Sequence, residues 1–194
     1  MKRFIFIVLV FLIIPSRAYA QHVNLGIKGG LNFYTINGDN SSSFESKIGF
    51  NIGLLGHIHL SKQIAFQPEL VYSTQGTQNK SGSSELRLNL GYVNVPLLLQ
   101  YMFDNGFRLE AGPQIGILAN ATSEISNNSI NVKPAFRSTD IGLAVGMSYV
   151  KPSTGYGFDI RYNLGLTNIN ISDAVKSYNR GLQLGVFYLF GHRS

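Results

Sequence analysis

Eight times along this chain, apolar residues recur at every second position over about ten residues, the periodicity of a strand with one face apolar and the other polar. Leu25, Ile27, Leu31 and Phe33 open the series; Ile48 to Leu60, Ile64 to Tyr72, Val93 to Tyr101, Phe107 to Ile117, Ile141 to Tyr149, Tyr156 to Leu166 and Leu182 to Phe190 continue it. A tilted membrane strand needs ~9–11 residues, whereas strands of soluble proteins average ~5–6. The fourth segment changes phase: Leu86, Leu88, Leu90 and Tyr92 hold one register and Val93 onward the other. A bulge near Gly91 is expected there.

The connections carry a second regularity. Ser61–Gln63, Asp104–Gly106 and Pro152–Gly155 are short turns, while 37–47, 74–85, 120–139 and 168–179 are long and rich in Ser, Asn and Thr. Strict alternation of long and short connections is the habit of outer-membrane barrels. The expected fold is therefore all-β, an eight-stranded antiparallel up-and-down transmembrane β-barrel. No helix-period stretch, repeat or linker divides the segment from Gln21 to Ser194, which reads as one barrel domain.

Before it, Lys2 and Arg3 precede the 11 apolar residues Phe4 to Ile14, and Ala18-Tyr19-Ala20 offers a small-residue cleavage motif. This three-part pattern is that of an export signal, too short to span a bilayer at ~20 apolar residues. Residues 1–20 are expected to be removed after Ala20. The 16 basic residues then fall to 13 against 10 acidic ones, a net +3. No basic cluster remains, so no nucleic acid partner is expected. With no cysteine, disulfides, thiol catalysis and Cys-type zinc sites are excluded.

A soluble lipocalin-like barrel would alternate in the same way, with its apolar face inward. The polar face decides between the two. It carries Lys28, His57, His59, Glu69, Arg108, Glu110, Asp140, Asp159 and Arg161 interleaved with glycine, a composition suited to the packed interior of an eight-stranded barrel. Tyr34, Tyr72, Tyr101, Tyr149, Tyr156, Phe158 and Tyr188, near strand ends, read as an interfacial aromatic girdle. Three acids and three bases (Glu69, Glu110, Asp159; Lys28, Arg108, Arg161) permit full pairing into a plug; the alternative is the lining of a narrow passive pore. His57 and His59 share a face and could join Glu69 around a metal, although a hydrogen-bonded pair is the expected reading, and no metal or cofactor is assigned. A lipid-modifying enzyme would need Ser, His and a carboxylate at the lipid-facing rim; the histidines fall instead on the polar face, and no catalytic residue is assigned.

Several strings taken in order resemble the PorT-like outer-membrane β-barrel family of Bacteroidetes: Gly26-Ile27-Lys28-Gly29-Gly30-Leu31-Asn32, Gly49-Phe50-Asn51-Ile52-Gly53 through Pro68-Glu69-Leu70-Val71-Tyr72-Ser73, Tyr92-Val93-Asn94-Val95-Pro96-Leu97, Ala111-Gly112-Pro113-Gln114-Ile115-Gly116, and Asp140-Ile141-Gly142 with Arg161-Tyr162-Asn163. The resemblance implies a small barrel of the bacterial outer membrane, embedded in lipid, with other envelope or secretion proteins as candidate partners. It implies no catalytic motif.

Overall fold

The computed structural model describes residues 23–38, 45–81, 84–125, 128–172 and 174–191; the expected export signal lies outside them. Among the described residues nine strands follow one another: β1 (Val23–Gly38), β2 (Glu45–His59), β3 (Ile64–Ser81), β4 (Ser84–Met102), β5 (Phe107–Ile125), β6 (Asn128–Asn131), β7 (Thr139–Val150), β8 (Tyr156–Gly165) and β9 (Ser177–Leu189). Eight of them close a barrel in which each pairs antiparallel with its sequence neighbours. The seam joins β1 to β9, from Gly26 opposite Leu189 to Gly38 opposite Ser177. The four-residue β6 is not part of the wall; it folds back on the far end of β5. Closure leaves the wall without an unpaired edge, the condition for immersing strands in hydrocarbon.

The outward face is apolar and the inward face polar. Leu25, Ile48 and Val186 are each about two-thirds exposed, while Lys28 and Glu69 retain 4% and Arg161 1% of their accessible surface. In water this distribution would leave a wall of Leu, Ile and Val unburied and desolvate a set of charges. In lipid the same wall is at home.

Short turns close one end of the barrel. Ser61 Oγ accepts from the amides of Gln63 and Ile64 at 3.3 and 3.0 Å. Gly106 (φ +88°) and Gly155 (φ +77°) supply the left-handed residue of the other two turns. Aromatic rings gather at this end: Tyr101 and Phe103 lie 5.0 Å apart, Tyr156 and Tyr188 4.7 Å, and Tyr188 and Phe190 5.2 Å. Tyr34 departs from the expected girdle. It is 2% exposed and points inward, its ring occupying the space a side chain at Gly181 would need.

Three expectations are corrected at the opposite end. First, the barrel strands run from 10 to 19 residues rather than about ten. Second, 74–85 is not a loop: β3 continues to Ser81 and β4 begins at Ser84, paired from Thr74–Gly91 to Ser81–Ser84, and 120–139 begins as a continuation of β5 to Ile125. Third, β4 does not change phase. Leu90, Tyr92, Asn94 and Leu98 all point inward. The register shift does fall opposite Gly91, but the extra residue is in β5, where Leu118 pairs with Tyr92 and Asn120 with Gly91, leaving Ala119 over. The bulge moves the inward phase of β5 from Leu118 to Ala121.

Candidate functional site: the closed lumen

Four strands aim charge at the middle of the barrel, because lysine, glutamate, aspartate and arginine alternate with outward Ile, Leu and Phe along β1, β3, β5 and β8. Arg161 on β8 is the hub. Its Nη1 donates to Glu69 Oε2 at 2.9 Å and its Nη2 to Glu69 Oε1 at 3.0 Å. The same guanidinium reaches Glu110 Oε1 through Nε at 3.0 Å and Nη2 at 2.7 Å. One planar fork thus spans the lumen from β8 to β3 and to β5, a task that a lysine, with a point charge and no fork, could not perform.

Lys28 on β1 completes the network. Its Nζ lies 3.3 Å from both Glu69 Oε2 and Asp159 Oδ1. Asp159 also stands 3.9 Å from Arg161. Neutral amides take up remaining carboxylate valences: Gln67 Nε2 donates to Glu69 Oε1 at 2.8 Å and Gln100 Nε2 to Glu110 Oε2 at 2.7 Å. The five ionic side chains are almost wholly inaccessible. Burying each ion costs several kcal/mol, offset only where geometry is good and further hydrogen bonds are made, as here.

Two further polar layers lie toward the outer end. Asn32 Nδ2 donates to Ser73 Oγ and to the Phe50 carbonyl, both at 2.9 Å, and Asn32 Oδ1 accepts from Asn51 Nδ2 at 2.9 Å. Asp140 accepts from Thr167 Oγ1 at 2.8 Å and Asn179 Nδ2 at 2.9 Å. Beyond them Ile36, Leu90, Tyr92, Leu118, Ala121 and Ile169 form an apolar stopper. A second stopper of Leu55, Val150, Phe187 and Leu189 fills the short-turn end.

All nine residues read from the sequence are on strands of the wall, but they do not form one group. Lys28, Glu69, Glu110, Asp159 and Arg161 meet; Asp140 is held apart at the outer end, and Arg108 is buried nearer the short turns without an ion pair among those described. His57 and His59 pack edge to face with ring centres 4.6 Å apart, and Glu69, the third ligand a metal would require, is engaged by Arg161 and Lys28. The amide partners Gln67 and Gln100 and the Asn32–Asn51–Ser73 cluster fall on the polar face of the alternation but are not among the candidate site residues, and neither are the two apolar stoppers. Gln67 lies two residues from Glu69, and Gln100 is in register with Glu110, so the pairing pattern could have found the two amides.

Residues 19–170, more than three-quarters of the chain, match the family described as outer membrane protein beta-barrel domain. The chain belongs to that family. This outer-membrane barrel, with its transmembrane strands, is therefore a protein of the Gram-negative envelope. It is similar in fold to the neisserial surface protein NspA, at 15% identity over 86% of this chain and 98% of that one, with a TM-score of 0.57. Ail, the attachment invasion locus protein of Yersinia pestis, also matches, at 15% identity over 85% and 98% of the two chains, with a TM-score of 0.47. No curated protein sequence matches the chain.

Proposed function

We propose that this barrel is a closed, non-conducting scaffold of the PorT-like type that acts through what it holds above the membrane: surface binding, adhesion or assembly with other envelope or secretion proteins. The signal is removed after Ala20, the termini and short turns face the periplasm, and the strand-built outer ends face the surroundings, as is usual for such barrels. One observation carries this reading. Arg161 ties β8 to Glu69 and Glu110 across the lumen, at 2.7–3.0 Å. A permeating ion would have to break that network and pass an apolar stopper on each side. The barrel is also proposed to be non-catalytic, since the described histidines, His57 and His59, lie on the lumen strand face away from lipid.

The test is single-channel recording of the refolded barrel in a planar bilayer, with heat-modifiable gel migration as the folding check. The expected record shows no steady conductance. A stable, ion-selective current from correctly folded protein would replace the scaffold by a narrow pore lined by Glu69, Glu110, Asp159, Arg108 and Arg161.

A further inference from the structure

Most glycines of this barrel have a steric reason to be glycine. A Cβ at Gly30 would lie 1.9 Å from the Leu184 carbonyl oxygen, and one at Gly53 2.4 Å from that of Leu70. Gly29 has no such reason. A Cβ there would meet only the Asn51 carbonyl oxygen, at 3.6 Å. Gly56 is the other described strand glycine with room to spare, and the nearest atom to it is the ring of Pro68 at 3.7 Å. Glycine in a strand interior loses packing and costs conformational entropy, so an outward glycine with free space over it is a notch that is not needed to build the wall.

The notch is the floor of an apolar groove of about 840 Å³ on the outer face of β8, β9, β1 and β2. Gly29 is in register with Val186 on one side and Ile52 on the other. Adjacent strands lie ~4.8 Å apart, so these two side chains wall a slot one hydrocarbon chain wide. Toward the short turns it is bounded by Ile27, Tyr188 and Tyr156, and at the other end by Phe50.

We propose that this groove seats one acyl chain of a phospholipid from the periplasmic leaflet. The groove is continuous with the lipid-facing surface, and its walls offer hydrocarbon, ring faces and paired strand backbone until the tyrosine pair at its short-turn end. From Ile27 to the Leu31–Phe50 level is about four residues, ~13 Å along the strand. At a tilt of ~40° that is roughly 10 Å along the membrane normal, within one leaflet of a ~25 Å apolar band. The tyrosines then stand at headgroup depth, where their hydroxyls meet polar partners. The choice of leaflet rests on the orientation proposed above; the seat itself does not depend on whether the lumen conducts.

The test is native mass spectrometry of the refolded barrel, released from detergent micelles doped with limiting dioleoyl phosphatidylethanolamine or with lipid A. Wild type is expected to retain one phospholipid per barrel. Gly29→Leu, which fills the slot, is expected to lower the retained fraction at least tenfold, and Gly29→Ala to give an intermediate value in a barrel with no steric reason to misfold. Val145→Leu, on the lipid face of β7, is expected to match wild type. No retained lipid on wild type, or equal retention by Gly29→Leu, overturns the seat. Preferential retention of lipid A overturns the leaflet and with it the orientation. A wild-type dimer that Gly29→Leu dissociates would show a second copy to be the occupant, which also overturns the proposal.

Discussion

Replacing Arg161 by alanine is expected to cost about 3–5 kcal/mol of unfolding free energy, the range for breaking a buried ion pair by removal of one partner. The reason lies in what is left behind. Glu69 and Glu110 would lose four contacts of 2.7–3.0 Å to one guanidinium; Glu69 and Asp159 would keep Lys28 as their ion-pair partner, and Glu110 would keep none among those described. Arg161→Lys is expected to recover only part of the loss, because an ammonium cannot serve both carboxylates in the same geometry. Arg161→Met combined with Glu69→Gln and Glu110→Gln removes the charges together and is expected to regain most of the stability. Urea titration of the barrel in lipid vesicles, read by heat-modifiable migration, measures all three. A loss below ~1 kcal/mol for the alanine variant would place the network in solvent, the regime of exposed ion pairs, and would remove the physical basis of the closed lumen.

The second large effect belongs to the outer face. Ile160 lies midway along β8, its side chain exposed and its neighbours Met147 and Leu184 in register on either side. Ile160→Arg is expected to destabilise the vesicle-inserted barrel by about 2–4 kcal/mol, the cost of arginine at the bilayer midplane. Leu60→Arg, at the short-turn end of the same exposed face, is expected to cost about 0–1 kcal/mol, the figure for the interface. The contrast between the two sites is the measurement, since it depends on depth and not on the side chain. Equal costs would mean that the apolar face is not immersed.

The alternation of Ile, Leu and Val with charge made the barrel wall legible, because lipid and lumen are different environments and each strand residue must choose between them. Where that contrast ends, so does legibility. The stretch from Thr74 to Ser81 contains no apolar side chain, although its backbone remains a strand. It therefore reads as loop. The apolar stoppers fail for the converse reason. Leu55 stands beside outward Leu54, Leu118 beside outward Ile117, and Leu189 beside outward Phe190. Period two cannot say which of two adjacent apolar residues turns inward. Such doublets are the signal that was present. The charged residues were legible as inward, but their grouping was not, since it depends on which strands face one another across the lumen. Arg161 lies 92 positions from Glu69, and no spacing rule reaches that far.

That separation also governs the order of assembly. Lys28 and Asp159 are 131 positions apart, on the first strand and the last but one, and Arg161 and Glu110 are 51 apart. Hairpins can form from local sequence, but no hairpin brings Arg161 to either glutamate. Contacts so distant in sequence are made late and slowly, after the loop-closure entropy has been met. The half-closed sheet therefore leaves Arg161 without Glu69 and Lys28 without Asp159, and the joining of β1 to β9 brings both pairs together at once. Barrel closure is accordingly expected to be the all-or-none event of folding, with no stable species that is inserted but unsealed.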